Sequence, residues 1–168
     1  MLMRNMPYVR LELEGIIDTG IIVISHFKNP ARNYAVKLLF DALTFRRHVL
    51  IPLTTYIGAY IIMTRYLRLR RDKVVRALLE TLSLSSPAFY EDVPKIIVER
   101  AMVGASELNL SPWDTYLIEL AKELGISKIY SVDEELARKV RDIEIVNPIP
   151  RDVMKEYHCY VRERLRRS

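Results

Sequence analysis

Gly15-Ile16-Ile17-Asp18-Thr19-Gly20 is the stretch on which the fold turns: a short apolar strand, an aspartate at its end, then the start of a short helix. The arrangement recurs near the other end of the chain. Lys128-Ile129-Tyr130-Ser131-Val132-Asp133 reads as a strand over 128–132, with Asp133 opening a helix over 134–141. Between the two lies a strong helix start, Ser111-Pro112-Trp113-Asp114. Ser111 suits the N-cap, Pro112 the first helical position and Asp114 the third. That helix runs to Leu124 and stops at Gly125, a residue type that closes helices.

The intervening segments alternate in the same way. Residues 30–46 carry Val36, Leu39, Phe40 and Leu43 at helical spacing, and 49–51 form a strand closed by Pro52. Residues 53–67 are helical and apolar nearly all round, as expected of a buried or dimer-facing helix. Residues 70–82 are amphipathic, 87–91 extended, 94–108 helical, 143–146 a last strand and 152–167 a terminal helix ending in Arg162, Arg164, Arg166 and Arg167. Strands alternating with helices imply right-handed βαβ units: an α/β fold, a three-layer α/β/α sandwich around a mostly parallel sheet. No repeat or linker divides the chain. Residues 1–150 are expected to form one domain, with 151–168 a basic helix packed on it or extending it.

The chain has 168 residues, half of them hydrophobic, which suits a single well-cored domain. Its formal charge of +5 favours a polyanionic partner such as nucleic acid. Cys159 is the only cysteine, so neither an internal disulfide nor a cysteine zinc cluster can form, and a reducing, cytoplasmic location is expected. Glutamine is absent while Ile, Arg, Glu and Tyr abound, a bias that fits a heat-adapted organism. Residues 1–7 lack the apolar run of a signal peptide. Residues 49–64 carry no charge, but they fall short of the ~20 residues a membrane-spanning helix needs and contain Pro52 and Gly58. His26, His48 and His158 share no metal-ligand spacing, and no glycine-rich phosphate loop or nucleophile elbow is present.

The candidate chemistry lies in the three aspartates. In an open parallel sheet the strand C-termini share one edge, and the following helix N-termini point to it. Asp18, Asp114 and Asp133 can therefore meet, with helix N-termini offsetting part of their repulsion. A divalent cation offsets it better, and carboxylate oxygens suit Mg²⁺ or Mn²⁺ rather than zinc. Each aspartate is also placed to cap its own helix, with Ser111 and Asp114 as a capping box; capping and metal binding are compatible. Glu135 is a possible further acid at the mouth, although a solvated helix residue is the plainer reading.

Together these motifs resemble the PIN domain family. Gly15 to Gly20 resembles its opening strand motif, Ser111-Pro112-Trp113-Asp114 with Glu123-Leu124-Gly125-Ile126 its third motif, and Lys128 to Asp133 its closing strand and final aspartate. The likeness covers roughly residues 13–148. PIN domains are typically metal-dependent ribonucleases, and many are toxins of toxin–antitoxin pairs. The resemblance thus implies RNA phosphodiester hydrolysis, with Asp18, Asp114 and Asp133 holding one or two Mg²⁺ or Mn²⁺ ions and Thr19 and Ser131 orienting the carboxylates. It also implies an antitoxin as a possible partner, and a homodimer.

One departure stands out. The family usually places a glutamate about six residues past the strand-ending proline, which here falls on Gly58; no acid occurs between Asp41 and Asp72. Three aspartates suffice, or a glutamate from elsewhere substitutes, or the fold is kept and cleavage lost, leaving a protein that binds RNA or a protein partner. A gain of activity in Gly58→Glu would show that a degraded site had been repaired. Arg65, Arg68, Arg70, Arg71 and Lys73 offer phosphate contacts, as do the terminal arginines. Tyr56, Tyr60 and Tyr66 could stack bases, but their helical spacing favours packing or dimer contacts.

Overall fold

The computed structural model describes residues 12–168, so the expectation about residues 1–7 lies outside the described residues. Five short strands form one sheet: β1 (Gly15–Ile17), β2 (Val49–Pro52), β3 (Phe89–Tyr90), β4 (Lys128–Tyr130) and β5 (Glu144–Val146). Their order is β3-β2-β1-β4-β5, and each neighbouring pair is parallel. β1 sits at the centre, flanked by β2 and β4, so Asp18 at its end lies where the strand order switches direction. Such switch points are where open α/β sheets bind ligands.

The strand period of two explains the layers. Ile17, Val49, Ile51 and Tyr130 face one hydrophobic cluster, while Ile16, Leu50 and Ile129 face the other. The first cluster is covered by α1 (Thr19–Ser25), α2 (Arg32–Leu43), α3 (Thr54–Ile61) and α4 (Arg71–Leu82). The second is covered by α5 (Lys95–Leu108), α6 (Pro112–Leu124) and α7 (Glu134–Lys139). The result is an α/β/α sandwich with a parallel sheet between two cores. The terminal helix α8 (Arg151–Arg167) lies on the first face, with Met154 buried and Tyr157 packed edge-on to Phe27.

Local chemistry fixes the central strand. Glu14 accepts hydrogen bonds from Arg47 and from the Tyr130 hydroxyl, and the Arg47 guanidinium lies 5.0 Å from the centre of the Tyr130 ring. This ties the approach to β1 to β2 and β4. Gly15 is required by the same packing, because a Cβ there would stand 2.6 Å from Tyr130 Cε2. Thr115 Oγ1 donates to the Ala101 carbonyl at 2.7 Å and pins α6 to α5.

The segment expected as one helix over 53–67 is two pieces. α3 ends at Ile61, and Ile62–Tyr66 form a π-helical turn in which Leu67 N donates to Ile62 O at 2.9 Å. Thr64 Oγ1 bonds back to the Tyr60 carbonyl at 2.7 Å, the kind of side-chain competition that loosens a helix. The segment is not uniformly buried either: Tyr56 is in the core, while Ile57 and Tyr66 are exposed. Among the described residues, no helix is long and apolar enough to cross a membrane.

Candidate functional site

Asp18 follows β1, Asp133 follows β4 and opens α7, and Asp114 stands in the first turn of α6. All three line one cavity of about 540 Å³, together with Thr19, Gly20, Gly58, Ile61, Ile62, Tyr66, Ser111, Trp113 and Val132. Asp18 is the deepest, at 6% exposure.

Each carboxylate is held by its own turn. Asp18 Oδ1 accepts from Thr19 N at 2.6 Å, and Oδ2 accepts from Ser131 Oγ at 2.5 Å. Ser131 Oγ also accepts from Asp133 N at 3.1 Å, so one buried hydroxyl joins two of the aspartate loops. Asp133 Oδ1 caps α7 by accepting from Glu135 N and Leu136 N. Ser111 Oγ accepts from Asp114 N at 3.2 Å and donates to Asp114 Oδ2 at 2.6 Å. Asp18 and Asp133 thus bond the amides that open their helices. At α6, Ser111 is the cap and Asp114 bonds the Ser111 hydroxyl rather than the Ser111 backbone amide, so only half of the expected capping box is present. Thr19 contacts Asp18 through its backbone amide; its side chain instead faces Gly58.

Proximity shows in the electrostatics. Burial raises the Asp18 carboxyl to about 6 against the hydrogen bond from Ser131, and the charges of Asp114 and Asp133 add to the rise. Burial likewise raises Asp114, with Asp133 and Glu135 contributing like charge while Ser111 opposes it. Three mutually repelling oxygen donors around one cavity are the chemistry a hard divalent cation relieves. As placed, the side chains are drawn into their caps. Among the described residues no three acidic, histidine or cysteine groups stand close enough together to enclose a metal ion. The chemistry of the donor set, carboxylate oxygens from Asp18, Asp114 and Asp133, is one that Mg²⁺ or Mn²⁺ would fit.

Gly58 does line this cavity, as its position in the motif suggests. A Cβ there would lie 3.0 Å from Thr19 Cγ2 and 3.2 Å from Thr19 Oγ1, so a side chain at 58 requires the Thr19 side chain to yield by a few tenths of an ångström. Among the described residues, the cavity lining holds no fourth carboxylate. Glu135 is exposed and paired with Lys139 at 2.6 Å, which lowers its carboxyl and leaves it the solvated helix residue of the plainer reading.

The basic cluster stands elsewhere. Arg65, Arg68, Arg70, Arg71 and Lys73 are exposed, and none lines the acidic cavity. Arg70 pairs with Asp72 at 2.8 Å. Arg70 and Lys73 also border a second cavity of about 400 Å³ with Lys28 and Arg164. Of the tyrosines, Tyr56 is buried and donates to Thr81 at 3.0 Å, so packing accounts for it. Tyr66 is 69% exposed and borders the aspartates. Trp113, 47% exposed, also lines the cavity, a role beyond its place in the helix start read from the sequence. The signal that could have found it was its place beside Asp114, on a turn that had to face the sheet edge.

Residues 16–142 match the PIN domain family, and this chain belongs to that family of nucleases. No curated protein matches the chain. Among solved structures it is similar to VapC20 of Mycobacterium tuberculosis, described as a toxin that cleaves the sarcin–ricin loop, at 18% identity and a TM-score of 0.57, covering 76% of this chain and 99% of that one. It is also similar to PAE2754 of Pyrobaculum aerophilum, at 18% identity and a TM-score of 0.54, covering 93% and 98%. A toxin–antitoxin complex from Klebsiella pneumoniae matches at 18% identity with a TM-score of 0.52, covering 80% and 98%. At such identities the likeness is one of fold.

Proposed function

We propose that this protein is a Mg²⁺- or Mn²⁺-dependent endoribonuclease whose working residues are Asp18, Asp114 and Asp133. The observation that carries this reading is that three carboxylates from separate segments of the sequence, at positions 18, 114 and 133, border a single cavity at the switch point of a parallel sheet. A divalent cation held there would supply activation of water and charge neutralisation at the phosphodiester. Ser131 keeps Asp18 in a fixed rotamer and braces the Asp133 loop. Ser111 orients Asp114, and the α7 amides orient Asp133. In the metal-free protein the Asp18 carboxyl, raised to about 6 by burial, must lose its proton before a cation binds, so metal affinity is expected to rise with pH through that range.

The toxin and the toxin–antitoxin complex among the similar structures support an antitoxin-like protein as partner and a toxin role. The exposed Ile57, Val75 and Leu79, with the half-buried Tyr60 and Leu82 beside them, form an apolar surface that supports a homodimer. A second reading, a PIN protein that binds RNA or a protein without cutting, is favoured by one observation: the cavity lining has Gly58 at the position of the family's usual glutamate and, among the described residues, no fourth carboxylate.

RNA cleavage by the wild type with Mn²⁺, beside Asp18→Asn and an EDTA control, separates the two readings. The nuclease reading expects a loss of about 100-fold or more in both controls. Undiminished cleavage by Asp18→Asn contradicts it, and salt-sensitive RNA binding without any metal-stimulated cleavage supports the second reading.

A further inference from the structure

The cavity around the aspartates is wider and more apolar than a hydrated cation needs. Above the buried Asp18, its walls are Ile61, Ile62 and Val132, and its two large aromatic residues are Trp113 and Tyr66. Single exposed apolar side chains are ordinary on a protein surface. Two exposed aromatics bordering one acidic cavity are not, and neither serves the core. α6 buries Thr115, Tyr116, Leu117, Ile118, Leu120 and Ala121, whereas Trp113, on its first turn, stays half-exposed. Tyr66 reaches the cavity because of the π turn. Gly58, Ile61 and Ile62 lie along one face of the helix, and the wider turn brings Tyr66 back over that face.

We infer that Trp113 and Tyr66 form a stacking subsite that receives one unpaired nucleobase of the bound strand. In a duplex each base face is covered by its neighbours, and the edge of a helix offers nothing for an indole or phenol ring to stack on. Only a splayed base presents a free face to an aromatic side chain. Every base has such a face, so this subsite selects for strandedness more than for sequence. The burial gradient sets the polarity of binding: the base at the aromatic rim, its phosphate toward the aspartates below. That last placement rests on the nuclease reading; the stacking does not.

Trp113 is the only tryptophan in the chain, so its emission reports on the subsite directly. The wild type is titrated, in Mg²⁺, with a fluorescently labelled oligoadenylate too short to fold and with a blunt duplex of equal length. Binding is read from label anisotropy and contact from tryptophan quenching. Quenching is expected with the single strand and not with the duplex. Trp113→Leu is expected to weaken single-strand binding by about tenfold, Trp113→Phe to preserve most of it, and both to keep the wild-type circular dichroism. Single-strand binding without quenching, equal quenching by the duplex, or undiminished binding by Trp113→Leu overturns the inference. So does the absence of binding to any RNA, which would leave the aromatic pair to a protein partner. Quenching without cleavage sustains the subsite while the nuclease reading fails; cleavage without quenching does the reverse.

Discussion

Asp18 is the residue at which stability and function pull apart. Its carboxyl is buried among other acids and raised to about 6 from an ordinary 3.8. The folded state therefore binds this proton more tightly than the unfolded chain does. The stability this residue contributes is complete below about pH 4 and is lost as the pH rises through about 6. The difference of about 2 pH units corresponds to about 3 kcal/mol. Metal-free protein is thus expected to lose stability between those limits. Asp18→Asn, which carries no charge, should flatten the profile and melt higher than the wild type at neutral pH in EDTA. Urea titrations at the two ends of the range check this, and a variant less stable than the wild type at neutral pH speaks against the buried carboxylate as a stored cost. Ser131 and Thr19 moderate that cost by donating to both oxygens.

At the scale of elements, the N-terminus of α6 links folding to the site. Ser111 satisfies the amide of Asp114 and also holds its carboxylate. Ser111→Ala removes both bonds and is expected to cost about 1 kcal/mol of stability, a drop of roughly 2–4 °C in melting temperature. It should also weaken metal-supported activity, because Asp114 then rotates freely. An unchanged melting temperature in a scanning calorimeter would show that the cap contributes nothing. This element was legible in the sequence, since Ser-Pro-x-Asp before an amphipathic run and a glycine after it state both ends of a helix. The strands at Gly15–Ile17 and Val49–Pro52 were legible for a similar reason, being short apolar runs stopped by Asp18 and by proline. The π turn at Ile62–Tyr66 was not. Residues 53–67 are apolar on nearly every side, so their pattern carries no phase from which a change of period could be read. Helical spacing alone therefore places Tyr66 with Tyr56 as a packing residue, whereas the folded chain sets it at the cavity of the aspartates.

At the scale of the molecule, the parallel sheet makes neighbours of residues that the chain keeps apart. Asp18, Asp114 and Asp133 border one cavity because β1 and β4 are adjacent and end at the same edge, with the start of α6 directed to it. The alternation of strands and helices implied that shared edge. The surroundings of the aspartates it did not imply: the Thr19 side chain against Gly58, the aromatic rim, and the placing of Arg70 and Lys73 beside a separate cavity with Lys28 and Arg164. These depend on which way side chains point once α3, α4 and α8 have packed, which periodicity does not encode. The molecule therefore combines a positive net charge with a local concentration of acid. Such a surface suits a polyanion steered in by the whole and received by a cation within the part. The claim at the centre is that the three aspartates act together as one cation site. Titration of Mn²⁺ into metal-free protein, followed by electron paramagnetic resonance, tests it in the wild type and in Asp18→Asn, Asp114→Asn and Asp133→Asn. The wild type is predicted to bind, with each variant weakened by at least the about tenfold that loss of even an outer-sphere partner costs. Binding of Mn²⁺ by all three variants as tightly as by the wild type would contradict it.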